Sequence, residues 1–157
     1  MSELYEYRVV NCPYKIAREY LAADIAGQAR ADTPDTLTLR APLAGAQVAK
    51  QVVVRFTRAA DPMHFDQPWG VQWTPEGGGP YPDFDGQLTV RADEDYKTAI
   101  LELSGQYRPP GGVFGAAFDR VVGSKIASAT AQSLLADLAA GMEERFAKAE
   151  RAKHEEV

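Results

Sequence analysis

Hydrophobic and polar residues alternate with a period of two in several segments between Leu4 and Tyr107, which is the pattern of strands with one buried face. Leu4 to Val10 is rich in aromatic and β-branched residues and predicts a first strand. Thr36 to Ala41 alternates, and Gln47 to Thr57 sets Val52, Val54 and Phe56 on one face and Val53 and Arg55 on the other. Pro42 and Gly45 are expected to separate these two strands. Trp69, Val71 and Trp73 alternate again after the turn signal Asp61-Pro62. Phe84, Gly86, Leu88 and Val90 predict the next strand, Asp93-Glu-Asp95 a turn, and Ala99, Leu101, Leu103, Gly105 and Tyr107 the buried face of the last. About six strands in antiparallel succession are expected.

Two regions follow the helical period instead. Asn11 offers a side-chain cap, Pro13 suits a first turn, and Tyr14, Ile16, Ala17, Tyr20 and Leu21 fall on helical spacing. An Ala-rich stretch to about Ala29 suggests a second short helix, ended by Thr33-Pro34-Asp35. From Val113 to about Lys148 a stripe runs through Phe114, Phe118, Val122, Ile126, Thr130, Leu134, Leu138, Met142 and Phe146. Steps of four residues overshoot a helical turn by ~40°, so the stripe drifts, and the helix must bend or follow a twisted surface. Gly123 and Gly141 are the expected bending points, and Glu143 to Glu156 is charged enough to fray into solvent.

Last strand and long helix meet at Leu103 to Asp119, where Pro109 and Pro110 cannot donate to a ladder and Gly111 and Gly112 relax the backbone. Strands first and one terminal helix laid across them make an α+β single domain, residues 1–157, in which a curved sheet grips a helix. Function is expected in the space between them.

Composition narrows the classes. The 157 residues suit one domain, with 45% hydrophobic and 25% charged residues. Seventeen basic against twenty-two acidic residues leave a net charge of −5, which offers no field for nucleic acid. Cys12 is the only cysteine, so an intrachain disulfide and a two-cysteine metal site are excluded, and a reducing compartment is implied. No apolar run approaches the ~18 residues of a membrane span, and Met-Ser-Glu-Leu-Tyr-Glu-Tyr-Arg lacks the basic and apolar parts of a signal peptide. A cytoplasmic protein, monomeric or weakly dimeric, is expected.

The order of elements resembles the START-like helix-grip fold, the SRPBCC superfamily, which includes polyketide cyclases and lipid-transfer proteins. Trp73, Tyr81-Pro82, Phe84 and Gly86, followed by Gly105-x-Tyr107-x-Pro109-Pro110-x-Gly112-x-x-Gly115-x-x-x-Asp119, is similar to a pattern in uncharacterised bacterial members. The resemblance implies a cavity between sheet and long helix that holds an apolar or amphipathic small molecule such as a lipid, polyketide or aromatic metabolite. It implies no particular ligand, cofactor or reaction, because the superfamily includes enzymes, carriers, receptors, co-chaperones and toxins.

Trp73, Tyr81, Phe84, Leu88, Leu103, Tyr107, Phe118, Val122 and Ile126 are the expected ligand-binding set, with Tyr81 at the mouth. Taken singly, each is better explained by core packing. A cyclase or dehydratase reading would have Tyr107, Tyr81 or His64 move protons. His64 with Asp66, or with Asp61 and Asp66 as metal ligands, lacks any framework spacing and reads better as a solvated turn. Asp119, near Arg108 and Arg120, suits a helix start. Glu102 and Arg55 fall opposite the apolar set and should face solvent. Gly77 to Gly79 lacks the lysine-serine pair of a phosphate loop and reads as a flap over the pocket. Cys12, beside Pro13 and Lys15, reads as a packing residue. A third reading, a protein-interaction module, would place function on the exposed sheet face or the charged helix end.

Overall fold

The computed structural model describes residues 2–30, 35–43, 46–58, 69–75, 83–94, 96–108 and 120–155. Strand β1 (Ser2–Val10) shows why the chain folds as it does. Leu4 and Val10 are buried, whereas Tyr5, Tyr7 and Val9 between them are exposed, so the period of two sets an inner and an outer face. The same alternation recurs in β3 (Ala46–Arg58), β4 (Trp69–Pro75), β5 (Asp83–Ala92) and β6 (Ala99–Arg108). With β2 (Asp35–Leu43) these strands form one antiparallel sheet in the order β1-β6-β5-β4-β3-β2.

Pro42 does not separate β2 from β3 as expected. It lies within β2, opposite Gln47, and β2 runs on to Leu43. Proline lacks an N–H, but β2 is an edge strand and that donor need serve no outer neighbour.

The segment after β1 is one helix, α1 (Tyr14–Arg30), not two short ones. Pro13, rather than Asn11, takes the cap position: its carbonyl accepts the N–H of Ala17 at 2.8 Å. Ala17, Leu21 and Ile25, four residues apart, are buried, so one apolar stripe continues through the Ala-rich stretch and holds the helix together.

The long helix, α2 (Arg120–Glu155), packs against α1 and against both β1 and β2. Those are the two edge strands, so the sheet curls until both of its margins meet the same helix. This α+β arrangement fits a helix-grip-like fold. The helix continues to Glu155, through the charged stretch expected to loosen, and the end carries exposed pairs Lys148–Glu144 and Lys153–Glu150 at 3.3 and 3.4 Å. Pairs so exposed add little to stability.

The buried face of α2 differs from the predicted stripe. Ile126, Thr130, Leu134 and Met142 are buried as expected, but Ala127, Ala131, Leu135 and Ala139 are buried with them. The helix therefore sinks a second row of residues, mostly small ones, which widens the buried face to what a concave sheet can enclose. Thr130 fits this apolar setting because its hydroxyl donates to the Ile126 carbonyl at 2.7 Å.

Gly141 is not a packing necessity, since a methyl group there would meet no atom within 4 Å. Gly141→Ala is expected to stabilise the protein by about 1 kcal/mol through helix propensity alone. A denaturation midpoint that fails to rise would mean the helix needs that glycine.

The β5–β6 turn is organised by Asp93, whose carboxylate accepts the Glu94 N–H and the Thr98 hydroxyl, both at 2.8 Å. These bonds favour the charged form and hold the Asp93 pKa below the ordinary carboxylate value. A lowered folded pKa contributes stability above the unfolded value, and that contribution is lost as pH falls through the folded one. Asp93→Asn is therefore expected to lower stability at neutral pH and to converge on the parent protein in acid. Urea titrations at both ends of the range check this, and a penalty independent of pH would refute it.

Candidate functional site

Register decides which inner-face residues meet. Across the sheet, Val54 lies opposite Trp73, Trp73 opposite Phe84, and Phe84 opposite Tyr107. Trp73, Phe84 and Tyr107 thus form one aromatic row, and the Trp73 and Phe84 rings stack with centroids 4.2 Å apart and planes at 19°. Further along the strands, Trp69, Leu88, Leu103 and Glu6 form another row.

Gly86 and Gly105 face each other between these rows. A methyl at Gly86 would stand 2.2 Å from the Ser104 carbonyl oxygen and 2.5 Å from the tip of the Phe84 ring. One at Gly105 would stand 2.4 Å from the Asp85 carbonyl oxygen. The two glycines make the niche over which Phe84 lies, and so allow it to stack on Trp73.

Six members of the expected ligand-binding set therefore belong to one buried cluster: Trp73, Phe84, Leu88, Leu103, Tyr107 and Ile126. Val122 lies in α2, which places its backbone only. Tyr81 and Phe118 lie outside the described residues, as do Asp61, His64, Asp66, the Gly77–Gly79 flap and Asp119. Arg55 is exposed, and Glu102 pairs with Arg91 on the outer face, which agrees with the expected register. Tyr5 stands beside this pair, its hydroxyl pKa raised first by desolvation and then by the Glu102 carboxylate.

Glu6 is the inner-face residue that sequence reasoning missed. Its carboxylate accepts from Ser128 and, at 3.0 Å, from Gln132, both on α2. The signal was present in the sequence, since Glu6 shares the parity of Leu4 and Val10. A second polar clasp ties α2 to the β1–α1 connection, where the Asn11 N–H donates to Glu143 Oε1 at 3.1 Å. Arg145 of α2 also lies over the Tyr20 ring of α1 at 4.3 Å. These polar contacts and the cation–π contact join helix α2 to β1 and α1.

Cys12 is fully buried, and burial, followed by the nearby Glu143 carboxylate, pushes its thiol pKa up. The thiolate is the reactive form, so the physical setting is that of an inert packing residue. In the native protein Cys12 is expected to react with a thiol reagent only as fast as the chain opens, and completely in denaturant. Reaction within the mixing time would contradict this.

Among the described residues, no group of three or more His, Cys, Asp or Glu side chains could hold a metal ion, and no helix is long and apolar enough to cross a membrane. Apart from Glu6, the two inner-face rows present apolar and aromatic side chains with few polar atoms. One of these, Trp73 Nε1, is buried and has no hydrogen-bond partner among the described residues.

Neither a family model nor a curated protein sequence matches the chain. The crystal structure of TTHA0849 from Thermus thermophilus is similar, with a TM-score of 0.50 at 16% sequence identity over 94% of this chain and 99% of that chain. At that identity the likeness concerns the fold alone.

Proposed function

We propose that the protein binds a hydrophobic small molecule, of the lipid, polyketide or aromatic-metabolite kind, between the sheet and α2. The observation that carries this reading is the contact of α2 with both edge strands, which makes the concave face an enclosed interior rather than an open surface. The wall of that interior is apolar and aromatic, as small-molecule sites are. The START-like resemblance of the sequence points the same way and is part of the proposal.

Native mass spectrometry of protein purified from its own host, followed by denaturing extraction, tests the reading. A stoichiometric small molecule of apolar character is the expected result. A clean apo mass, together with failure to bind added naphthalene-type probes, would overturn it.

A specific observation favours a second reading, in which the domain docks to another protein. Tyr5, Tyr7 and Val9 are exposed side by side on the outer face of β1, at 55%, 58% and 46%. If that reading holds, Tyr5→Ser with Tyr7→Ser removes a complex recovered from cell extract and leaves small-molecule binding intact.

A further inference from the structure

Trp73 is 1% exposed on the inner face, and its indole Nε1–H has no hydrogen-bond partner among the described residues. An indole nitrogen only donates, and buried donors are nearly always satisfied, so this one calls for a specific explanation. The sheet supplies no side-chain acceptor in register: Val54 stands opposite on one side and Phe84 on the other, with Val71 and Pro75 two positions away along the same strand face. The stacking contact with Phe84 is made by the ring faces and does not use the N–H. The donor is therefore not used by that contact and is available to something that enters the interior.

We propose that the interior site takes an apolar molecule carrying a neutral carbonyl oxygen, and that Trp73 Nε1 donates to that oxygen. This rests on the binding reading above and specifies its ligand class. A carbonyl satisfies one donor and brings no charge. A carboxylate would bring a charge among Val54, Val71, Phe84 and Leu88, where no cation stands in register to compensate it. A pure hydrocarbon would leave the indole unpaired, as it is without ligand.

The test uses two probes of nearly equal shape, 2-acetylnaphthalene and 2-ethylnaphthalene, titrated into the full chain by calorimetry and by 1H–15N correlation of the indole resonances. Loss of one resonance in Trp73→Phe assigns it. The ketone is expected to bind about tenfold more tightly than the hydrocarbon and to move the Trp73 resonance downfield. In Trp73→Phe the two probes should bind alike. Equal affinities in the parent protein, with an unmoved Trp73 resonance, would overturn the inference and leave the binding reading standing. Binding of neither probe would overturn the inference and, with a clean apo mass, the reading as well. A Trp73 resonance already downfield without ligand would show that water holds the donor, and would also overturn the inference. Because Trp69→Phe assigns the same resonance by elimination and both affinities are read in the parent protein, the test survives poor folding of Trp73→Phe.

Discussion

Gly105→Ala is expected to destabilise the protein by about 3 kcal/mol, at the upper end of overpacking costs. The added methyl would stand 2.4 Å from both the Asp85 carbonyl oxygen and the Gly86 Cα, and 2.9 Å from the Phe84 ring. The first two are backbone atoms of a paired strand, so relief requires β5 and β6 to move apart and not merely a rotamer change. Replacing glycine also lowers the entropy of the unfolded chain, which favours folding by about 0.4–1 kcal/mol. Backbone displacement is the larger effect, so the net sign is destabilising. Equilibrium urea unfolding measures it, and a loss below about 1 kcal/mol would mean that the strands yield there. The same variant should weaken Trp73–Phe84 stacking, because the Phe84 ring tip occupies the glycine niche.

Leu135→Ala is expected to cost about 3 kcal/mol, within the range for leucine truncations in a packed core. Leu135 is fully buried on α2, yet lies one residue off the four-residue stripe. If the stripe alone were the buried face, the substitution would cost only a few tenths of a kcal/mol. Lys148→Ala, at a side chain 67% exposed, is the control and should change stability by less than about 0.5 kcal/mol. Comparable small effects for both variants would show that α2 does not present its Leu134–Leu135 side to the sheet.

The local strand pattern was legible because a period of two needs no tertiary information. Phe84, Leu88, Leu103 and Tyr107 share an inner face whatever the neighbouring strand is, and the register bears that out. The extent of α1 was less legible. Its Ala-rich second half carries a weak pattern, and burial of Ile25 in line with Ala17 and Leu21 adds tertiary packing to the helix propensity of alanine there. Pro42 misled for a related reason: whether a strand tolerates proline depends on whether it lies at an edge, which is a property of the sheet.

For the candidate site, alternation marked Trp73 as inward but was silent about its nitrogen. Whether an indole N–H finds an acceptor depends on which residues register sets beside it, and pairing with Val54 and Phe84 leaves none there. Glu6 shows the converse, since a carboxylate on an apolar face becomes tolerable only when Ser128 and Gln132 arrive from a helix more than a hundred residues away.

By itself, then, the sequence determined the faces of the strands, the long closing helix and the exclusion of an intrachain disulfide, because each follows from local periodicity or from composition. Tertiary structure alone decided that α2 meets both margins of the sheet, which of its rows is buried, and which polar atoms end up satisfied. Those outcomes depend on partners distant in the chain, and a one-dimensional pattern does not say which partners will meet.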